Sequence, residues 1–413
     1  MQRIAGSYSS RSKPISQADH QIEPEHWTII DGFKLPIRGP FTQAICNRGT
    51  AVLYVSQPGE VPLYISLTPG YIHWHEQELL LPKPVRIKQG CVVIWTPENC
   101  QLFFVEGLPR PPIRDPISKP EAIAQYQECI INAVRRRLNG RTRVAVAQSG
   151  GTDSLLLTWA LLELGIEVVP LTVCTSRDTL DFVGAETALK TLGLKPILIL
   201  IPPESLKALI YEAVLCLEHT ESSNVRMAIG NILMARKCQE LGIDLIFIGH
   251  GHDDVFGKGT LMKGVLAEQI GTPSEQWRDA RIASTEATAG MMKMFSSTFR
   301  RYGVETRMPY YDAELLEWAF SQPIEVLPIE FKKQFVHTVF QACFPINLSD
   351  RHSVGYLKGA GLGLKGDLFK QFPLIIEDKA IRSTLAGIKR LSIKQRISLH
   401  DTPANSRVVL DPQ

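Results

Sequence analysis

No run of uncharged apolar residues in this sequence reaches the ~20 needed to span a bilayer, which argues against a membrane protein. The opening stretch, MQRIAGSYSSRSKP, has no apolar centre, so no secretory signal is expected there. The eight cysteines (46, 91, 100, 129, 174, 216, 238 and 343) are scattered without a CxxC pair. That excludes an evident zinc or disulfide framework and predicts reduced, mostly buried thiols. Charge is nearly balanced: a net +3 over 413 residues argues against a surface that coats nucleic acid. Repeats and low-complexity tracts are missing too. The expectation is a soluble, cytoplasmic chain with neither membrane nor nucleic acid as partner; its oligomeric state is not legible.

With 44% hydrophobic and 21% charged residues, the chain can bury substantial cores. Its length suggests two domains rather than one. Up to about Glu106, short apolar runs alternate with turn residues. Residues 51–55, 63–65 and 91–95 read as strands, with turns at Gln57-Pro58-Gly59 and Thr68-Pro69-Gly70. The proline-rich stretch from Gly107 to Pro120 denies the backbone both helix and ladder and reads as a linker. We expect a β-rich module over 1–113 and a second domain over 114–413.

In that second domain the texture changes. Ser118 and Glu121 have capping-box spacing, with Pro120 inside the first turn, and predict a helix through Arg137. Strands are expected over 144–147, 167–173, 196–201 and 245–248, and helices over 154–164, about 180–192 and about 224–241. Strands spaced by such helices imply right-handed crossovers and an α/β fold, a doubly wound parallel sheet covered on both faces. From Gly257 onward the chain reads as mainly helical.

The sharpest feature is VAVAQSGGTDS, residues 144–154. A buried strand runs directly into Ser149-Gly150-Gly151, and a helix opens at Asp153-Ser154. Two glycines let successive N–H groups point at one anion, and the helix N-terminus adds partial positive charge there. Ser149 and Ser154 supply hydroxyl donors. A carboxylate beside phosphates repels them unless a cation lies between, so Asp153 reads as a Mg²⁺ holder. The string lacks the Lys-Ser/Thr pair of a Walker loop. A second strand runs into His250-Gly251-His252-Asp253-Asp254. Loops at the carboxyl ends of neighbouring strands gather at the switch point of such a sheet, so Asp253 is expected to approach Asp153 and share the metal. The competing readings are a solvated Asp-Asp turn, or histidines that bind a transition metal.

The chain resembles a known family at these residues. SGGTDS is similar to the SGGxDS loop of the ATP pyrophosphatases that cleave between the α and β phosphates. Within them it resembles the asparagine synthetase branch, with its β-lactam synthetases and lasso peptide cyclases. SSNVRMAIG (222–230) is similar to that branch's helix before the second loop, GHGHDDVFG (249–257) to its GxGxDExFGG loop, and YGVETRMPYYD (302–312) to its hGxExRxPFLD segment. The N-terminal part resembles, more weakly and much shortened, the glutaminase half of these enzymes: MQRIAG stands where they read MCGIAG, and GEVPLYIS (59–66) looks like their GxKPLYY strand.

The resemblance implies an ATP-dependent, Mg²⁺-assisted ligase. A substrate carboxylate is adenylated with release of pyrophosphate, and an amine captures the acyl group as AMP leaves, including intramolecularly as a lactam or peptide macrocycle. It implies nucleotide contacts from Ser149, Gly150, Gly151, Asp153, Ser154, Val173 and Gly249, and metal contacts from Asp153 and Asp253. Glu305 is the first choice as base for the amine, with His250 as its partner or alternative; an ion pair of Glu305 with Arg307 is the other reading. Where the family has its nucleophilic cysteine this chain has Gln2, and a carboxamide is no nucleophile, so glutamine hydrolysis is expected to be absent. The family's late lysine falls at Ser353, with Lys358 nearby. Substrate-pocket residues are expected from the stretch between Lys258 and Arg301 and from Val304 to Tyr311. Partners would be a small-molecule or peptide acid and an amine. Two alternatives stay open: an ammonia-dependent amidotransferase like asparagine synthetase, and a non-catalytic nucleotide-binding pseudoenzyme. A tRNA thiolase or NAD synthetase is disfavoured by the lack of a cysteine pair and a basic tail.

Overall fold

Strand side chains alternate with a period of two, so residues at odd positions of neighbouring runs share a face. Ala51, Leu53 and Val55 thus meet Leu63, Ile65, Cys91, Val93 and Trp95 in one apolar core. The computed structural model describes residues 5–8, 27–30, 33–36, 42–47, 50–55, 62–69, 71–75, 77–104, 107–257, 271–289, 291–328, 334–344, 359–362 and 374–390. Its N-terminal part contains β1 (Ala5–Tyr8), β2 (Trp27–Ile30), β3 (Phe33–Pro36), β4 (Thr42–Asn47), β5 (Thr50–Val55), β6 (Leu63–Thr68), β7 (Tyr71–His75), β8 (Val85–Ile87), β9 (Cys91–Trp95) and β10 (Cys100–Phe104). Two antiparallel sheets, ordered β1-β7-β6-β8 and β10-β9-β5-β4, stack around that core, and β2 pairs with β3 separately. The three predicted strands are among these. Thr68 pairs with Tyr71, so the chain reverses at Pro69 as expected; the turn expected at Gln57–Gly59 lies outside the described residues.

The proline-rich stretch carries no helix or strand before Lys119, yet it is strapped down. Leu108 is buried in one core with Ala122, Tyr126 and Leu155, Arg114 N–H donates to the Ser321 carbonyl at 2.9 Å, and Arg278 donates to the Pro111 carbonyl at 3.0 Å.

Helix α1 (Lys119–Arg137) follows, its first turn capped by the Ser118 hydroxyl accepting from Glu121 N–H at 3.4 Å. Then come β11 (Arg143–Ala147), α2 (Thr152–Glu163), β12 (Glu167–Cys174), α3 (Leu180–Lys190), β13 (Ile197–Leu200), α4 (Leu206–Leu217), α5 (Ser222–Glu240), β14 (Leu245–Phe247) and α6 (His252–Phe256). Beyond them lie α7 (Pro273–Ala289), α8 (Met292–Arg300), β15 (Glu305–Arg307), α9 (Ala313–Ser321), α10 (Gln334–Cys343) and α11 (Leu374–Arg390). The five strands pair in parallel in the order β13-β12-β11-β14-β15. Val144 and Val146 of β11 bury into a core with α1 and α2, while Ala145 faces a second core with α4 and α5. The sheet is therefore covered on both faces, as an all-parallel sheet requires. Successive strands run outward from β11 to β13, and the chain then returns to the other side of β11. The switch point lies between β11 and β14.

Asp312, last residue of the YGVETRMPYYD segment, caps α9 by accepting from Glu314 N–H at 3.1 Å and is gripped by Arg136 and Arg137 of α1. Burial alone pushes its carboxyl up, but the two guanidiniums outweigh this and hold it below the usual carboxylate range.

The two parts meet at Glu218, a buried residue in left-handed backbone (φ 60°) just after α4. Its carboxylate accepts from the N–H groups of Glu78 and Leu79, each at 2.8 Å, and from Lys293 at 2.9 Å. Lys293, on α8, also donates to the Tyr64 hydroxyl at 3.1 Å and lies 4.9 Å from that ring's centre. Leu79 packs against the second domain's core. Among the described residues no helix is long and apolar enough to cross a membrane.

Candidate functional site

Between β11 and α2 the chain turns through Gln148, Ser149, Gly150 and Gly151. Gly150 sits at φ +66°, a conformation that costs glycine nothing. Buried Gln148 organises the turn. Its Oε1 accepts from Gly150 N–H at 2.8 Å and from the Ser154 hydroxyl, its amide donates to Thr158 at 3.0 Å, and its carbonyl accepts from Thr172 at 2.7 Å. The Ser149 hydroxyl accepts from Gly151 N–H at 3.2 Å and lies 3.5 Å from that of Ser154. No side chain caps the N-terminus of α2. Ser149, Gly150, Gly151 and Ser154 thus gather around a bare helix N-terminus, the arrangement that backbone N–H groups and the helix dipole make attractive to phosphate.

β14 lies beside β11, so its loop leaves the sheet at the same edge. A Cβ added to Gly249 would stand 3.2 Å from the Asp153 carbonyl carbon and the Ser154 nitrogen, which puts the second loop directly on the head of α2. Asp253 stands in the first turn of α6, as Asp153 does in α2. Asp153 is held at both ends: its Oδ1 lies 2.9 Å from Nδ1 of His252, and its carbonyl accepts from the Tyr310 hydroxyl at 2.7 Å. Nε2 of His252 lies 2.9 Å from the Tyr126 hydroxyl. With both ring nitrogens engaged, His252 is not arranged as a transition-metal ligand. Among the described residues no group of three or more His, Cys, Asp or Glu side chains is set to hold a metal by itself. Mg²⁺ does not need one, since it takes one or two carboxylates and completes its shell with phosphates and water. Asp153, with 27% of its side chain exposed, fits that donor set.

His250 enters the same site. Its ring centre lies 5.0 Å from Phe295 and 5.8 Å from Tyr311, and its Nε2 is buried with no hydrogen-bond partner. Burial pulls its pKa down to about 4, against a hydrogen bond that the ring donates to the Thr288 backbone and the charge of Asp253, so the ring is neutral near pH 7.

Glu305 is not brought here. It pairs in register with Leu245, at the entering end of parallel β14, and its N–H donates to the Asp244 carbonyl at 2.7 Å. Both loops leave from the opposite edge. Its carboxylate instead bonds Arg307 and lies 3.6 Å from Arg141. These contacts fit the ion pair with Arg307, the other reading of this residue. Val173 lies near the carboxyl end of β12, but only 3% of it is exposed and its side chain belongs to the core. Gln2, Ser353, Lys358 and the first part of the stretch expected to line the substrate pocket (258–270) lie outside the described residues.

Sequence reasoning missed Gln148 and Tyr126 and gave His252 no role of its own. Gln148 is adjacent to the glycine turn and was open to notice. Tyr126 lies 126 positions from the histidine it meets, with no local signal to join them.

Residues 125–295 match the asparagine synthase family model. The putative glutamine-hydrolysing asparagine synthetase 1 of Methanocaldococcus jannaschii is 25% identical over 215 residues, covering 50% of this chain and 38% of that protein. The glutamine-hydrolysing asparagine synthetase of Gallus gallus is 25% identical over 202 residues, 47% of this chain and 35% of that protein. The chain thus matches little more than a third of these relatives' own lengths. Among solved structures, the U34-tRNA thiolase NcsA from Methanococcus maripaludis aligns over 67% of this chain and 82% of its own, with 14% identity and a TM-score of 0.27.

Proposed function

We propose that this chain, whose residues 125–295 match the asparagine synthase family model, is an ATP-dependent ligase that joins a carboxylate to an amine through an acyl-adenylate. The observation that carries this reading is the contact of Gly249 with Asp153 and Ser154, which unites two acid-bearing loops at the switch point of a parallel sheet.

A carboxylate and an amine form a salt and not an amide, so the acid's oxygen must become a leaving group. We assign phosphate binding to the turn Ser149-Gly150-Gly151 at the head of α2 and to the hydroxyls of Ser149 and Ser154, the two glycine N–H groups turning to the anion from Gln148 and Ser149, which hold them here. The bare N-terminus of α2 favours the negative charge that builds there during attack on the α-phosphorus. Asp153 and Asp253 would hold Mg²⁺, which when bound neutralises phosphate charge and makes pyrophosphate a better leaving group. Gly249, having no side chain, leaves the nucleotide room at the junction of the loops. Val173 contributes wall and backbone rather than a side-chain contact.

The amine loses a proton as it attacks the adenylate. Glu305 is held by arginines at the far edge of the sheet, which leaves His250 as the group to take that proton. Its Nε2 is the nitrogen with capacity to accept. With Gln2 in place of a nucleophile, nitrogen comes from the amine substrate and not from glutamine. An amide or lactam of specialised metabolism, made in the cytoplasm, is the product class this favours.

The test is ATP–pyrophosphate exchange across a panel of candidate acids, with AMP formation as second readout. We expect exchange with a restricted set of acids, abolished by Asp153→Ala while the fold is retained. A protein that binds nucleotide but exchanges with no acid would instead be a non-catalytic binder.

A further inference from the structure

His252 is the second histidine of the GHGHDDVFG loop, two positions after His250, and the two play different parts. Gly251 between them sits at φ +93°, directly under the Tyr311 ring, and the chain turns there so that His252 goes wholly inward. Its ring is fully buried, with its centre 4.3 Å from that of Tyr310 and 4.6 Å from that of Phe256.

The hydrogens in this cluster follow from the acceptors. The Asp153 carboxylate only accepts, so Nδ1 of His252, 2.9 Å from Oδ1, carries the proton. On the other side of the ring Nε2 lies 2.9 Å from the Tyr126 hydroxyl, which holds it in place. The single proton of Tyr310 goes to the Asp153 carbonyl. Three elements distant in sequence, namely α1, the second loop and the turn after β15, therefore converge on one aspartate of the phosphate loop. Filling this space needs only a phenyl ring. Burying an imidazole is favourable only with both nitrogens satisfied, and here that is achieved in a way that fixes one carboxylate oxygen.

We propose that His252, locked by Tyr126, is a positioning residue that orients the Asp153 carboxylate for a divalent cation. This rests on the adenylating reading of the site. The bond from Nδ1 fixes the carboxylate plane, as outer-shell partners of metal ligands do.

The test measures cation binding directly, with no turnover. Mn²⁺ affinity is determined by electron paramagnetic resonance in the presence of α,β-methylene-ATP, for the full chain and for His252→Phe, His252→Asn and Tyr126→Phe. The asparagine amide falls near the position of Nδ1 and keeps a donor for Asp153. We expect His252→Phe to weaken Mn²⁺ binding by roughly 10- to 100-fold, the usual cost of losing such a partner. His252→Asn should stay near the original affinity although both variants melt lower, and Tyr126→Phe should fall between. The proposal is overturned if His252→Phe binds Mn²⁺ like the unaltered protein, or if the two histidine variants lose affinity equally. If the unaltered protein does not bind the analogue at all, the adenylating reading falls and takes this inference with it. If it binds and every variant holds Mn²⁺ equally, only the role of His252 falls.

Discussion

Gly249 faces the peptide between Asp153 and Ser154, and a Cβ built on it would lie 3.2 Å from the carbonyl carbon and 3.2 Å from the nitrogen of that peptide. These atoms are backbone at the head of a helix and cannot swing aside as a flexible side chain would. The contact sets the distance between the two loops, and with it the placement of Asp253 relative to Asp153.

Gly249→Ala should therefore push the loops apart by a few tenths of an ångström without unfolding the chain, because the left-handed backbone that penalises alanine is not needed here. Misplacement of this size near reacting phosphates costs rate steeply. We expect pyrophosphate exchange to fall about 10-fold or more while the melting temperature changes little. Equal activity in the alanine variant would mean that the loops do not act as one site.

Glu305→Gln gives the opposite pattern. The glutamine keeps the size but leaves Arg307, only 4% exposed, with a weaker partner. Breaking such a pair on one side is destabilising by up to about 3 kcal/mol. We expect lower stability in urea unfolding and, well below the melting temperature, exchange and amide formation both near normal. A selective loss of amide formation would restore Glu305 as the base.

The junction between the two parts gives a third expectation. Glu218 and Lys293 are nearly buried, with side chains 1% and 12% exposed. Burial lowers the pKa of Lys293, but Glu218 and Tyr64 outweigh it and the amine is held charged. Glu218→Gln leaves that charge uncompensated and should cost on the order of 3 kcal/mol. Adding Lys293→Met should recover much of the loss, a non-additivity that urea unfolding of the single and double variants measures.

What was legible in the sequence follows the range of the forces involved. The strand running into Ser149-Gly150-Gly151, and the capped start of α1 at Ser118, are local statements about backbone freedom and periodicity, and the structure contains both. The parallel sheet followed from strand and helix spacing. Helix α4, Leu206–Leu217, was missed: most of its residues are buried and no side chain caps its start, so nothing local marks where it begins. Glu305 was chosen from its place in the ExRxP segment. Which end of the sheet it occupies is set by the register Leu245↔Glu305, which no local pattern carries. The relay through His252 and Tyr126 depends on tertiary contact alone.

His250 supports a prediction in two parts, one on stability and one on chemistry. Unfolded, its pKa is close to 6.5; folded, burial lowers it to about 4. As pH falls from 6.5 toward 4 the unfolded chain takes up a proton that the folded ring refuses, so folding stability declines across that window. By about pH 5 the decline from this group should approach 2 kcal/mol. Asp312, whose carboxyl is held low, loses its own contribution only as pH drops through its folded value, and it does so alike in any His250 variant. Comparing urea unfolding near pH 7 and pH 5 for the unaltered chain and for His250→Phe therefore isolates the histidine: the variant should lose less. On the chemical side, His250→Phe should retain pyrophosphate exchange while amide formation drops by roughly 10²- to 10⁴-fold, the scale of general-base catalysis. If exchange falls in parallel, His250 belongs to the nucleotide site and not to amine capture. If the acid-side loss is the same in both proteins, the ring is not the buried neutral group that its contacts with Phe295 and Tyr311 imply.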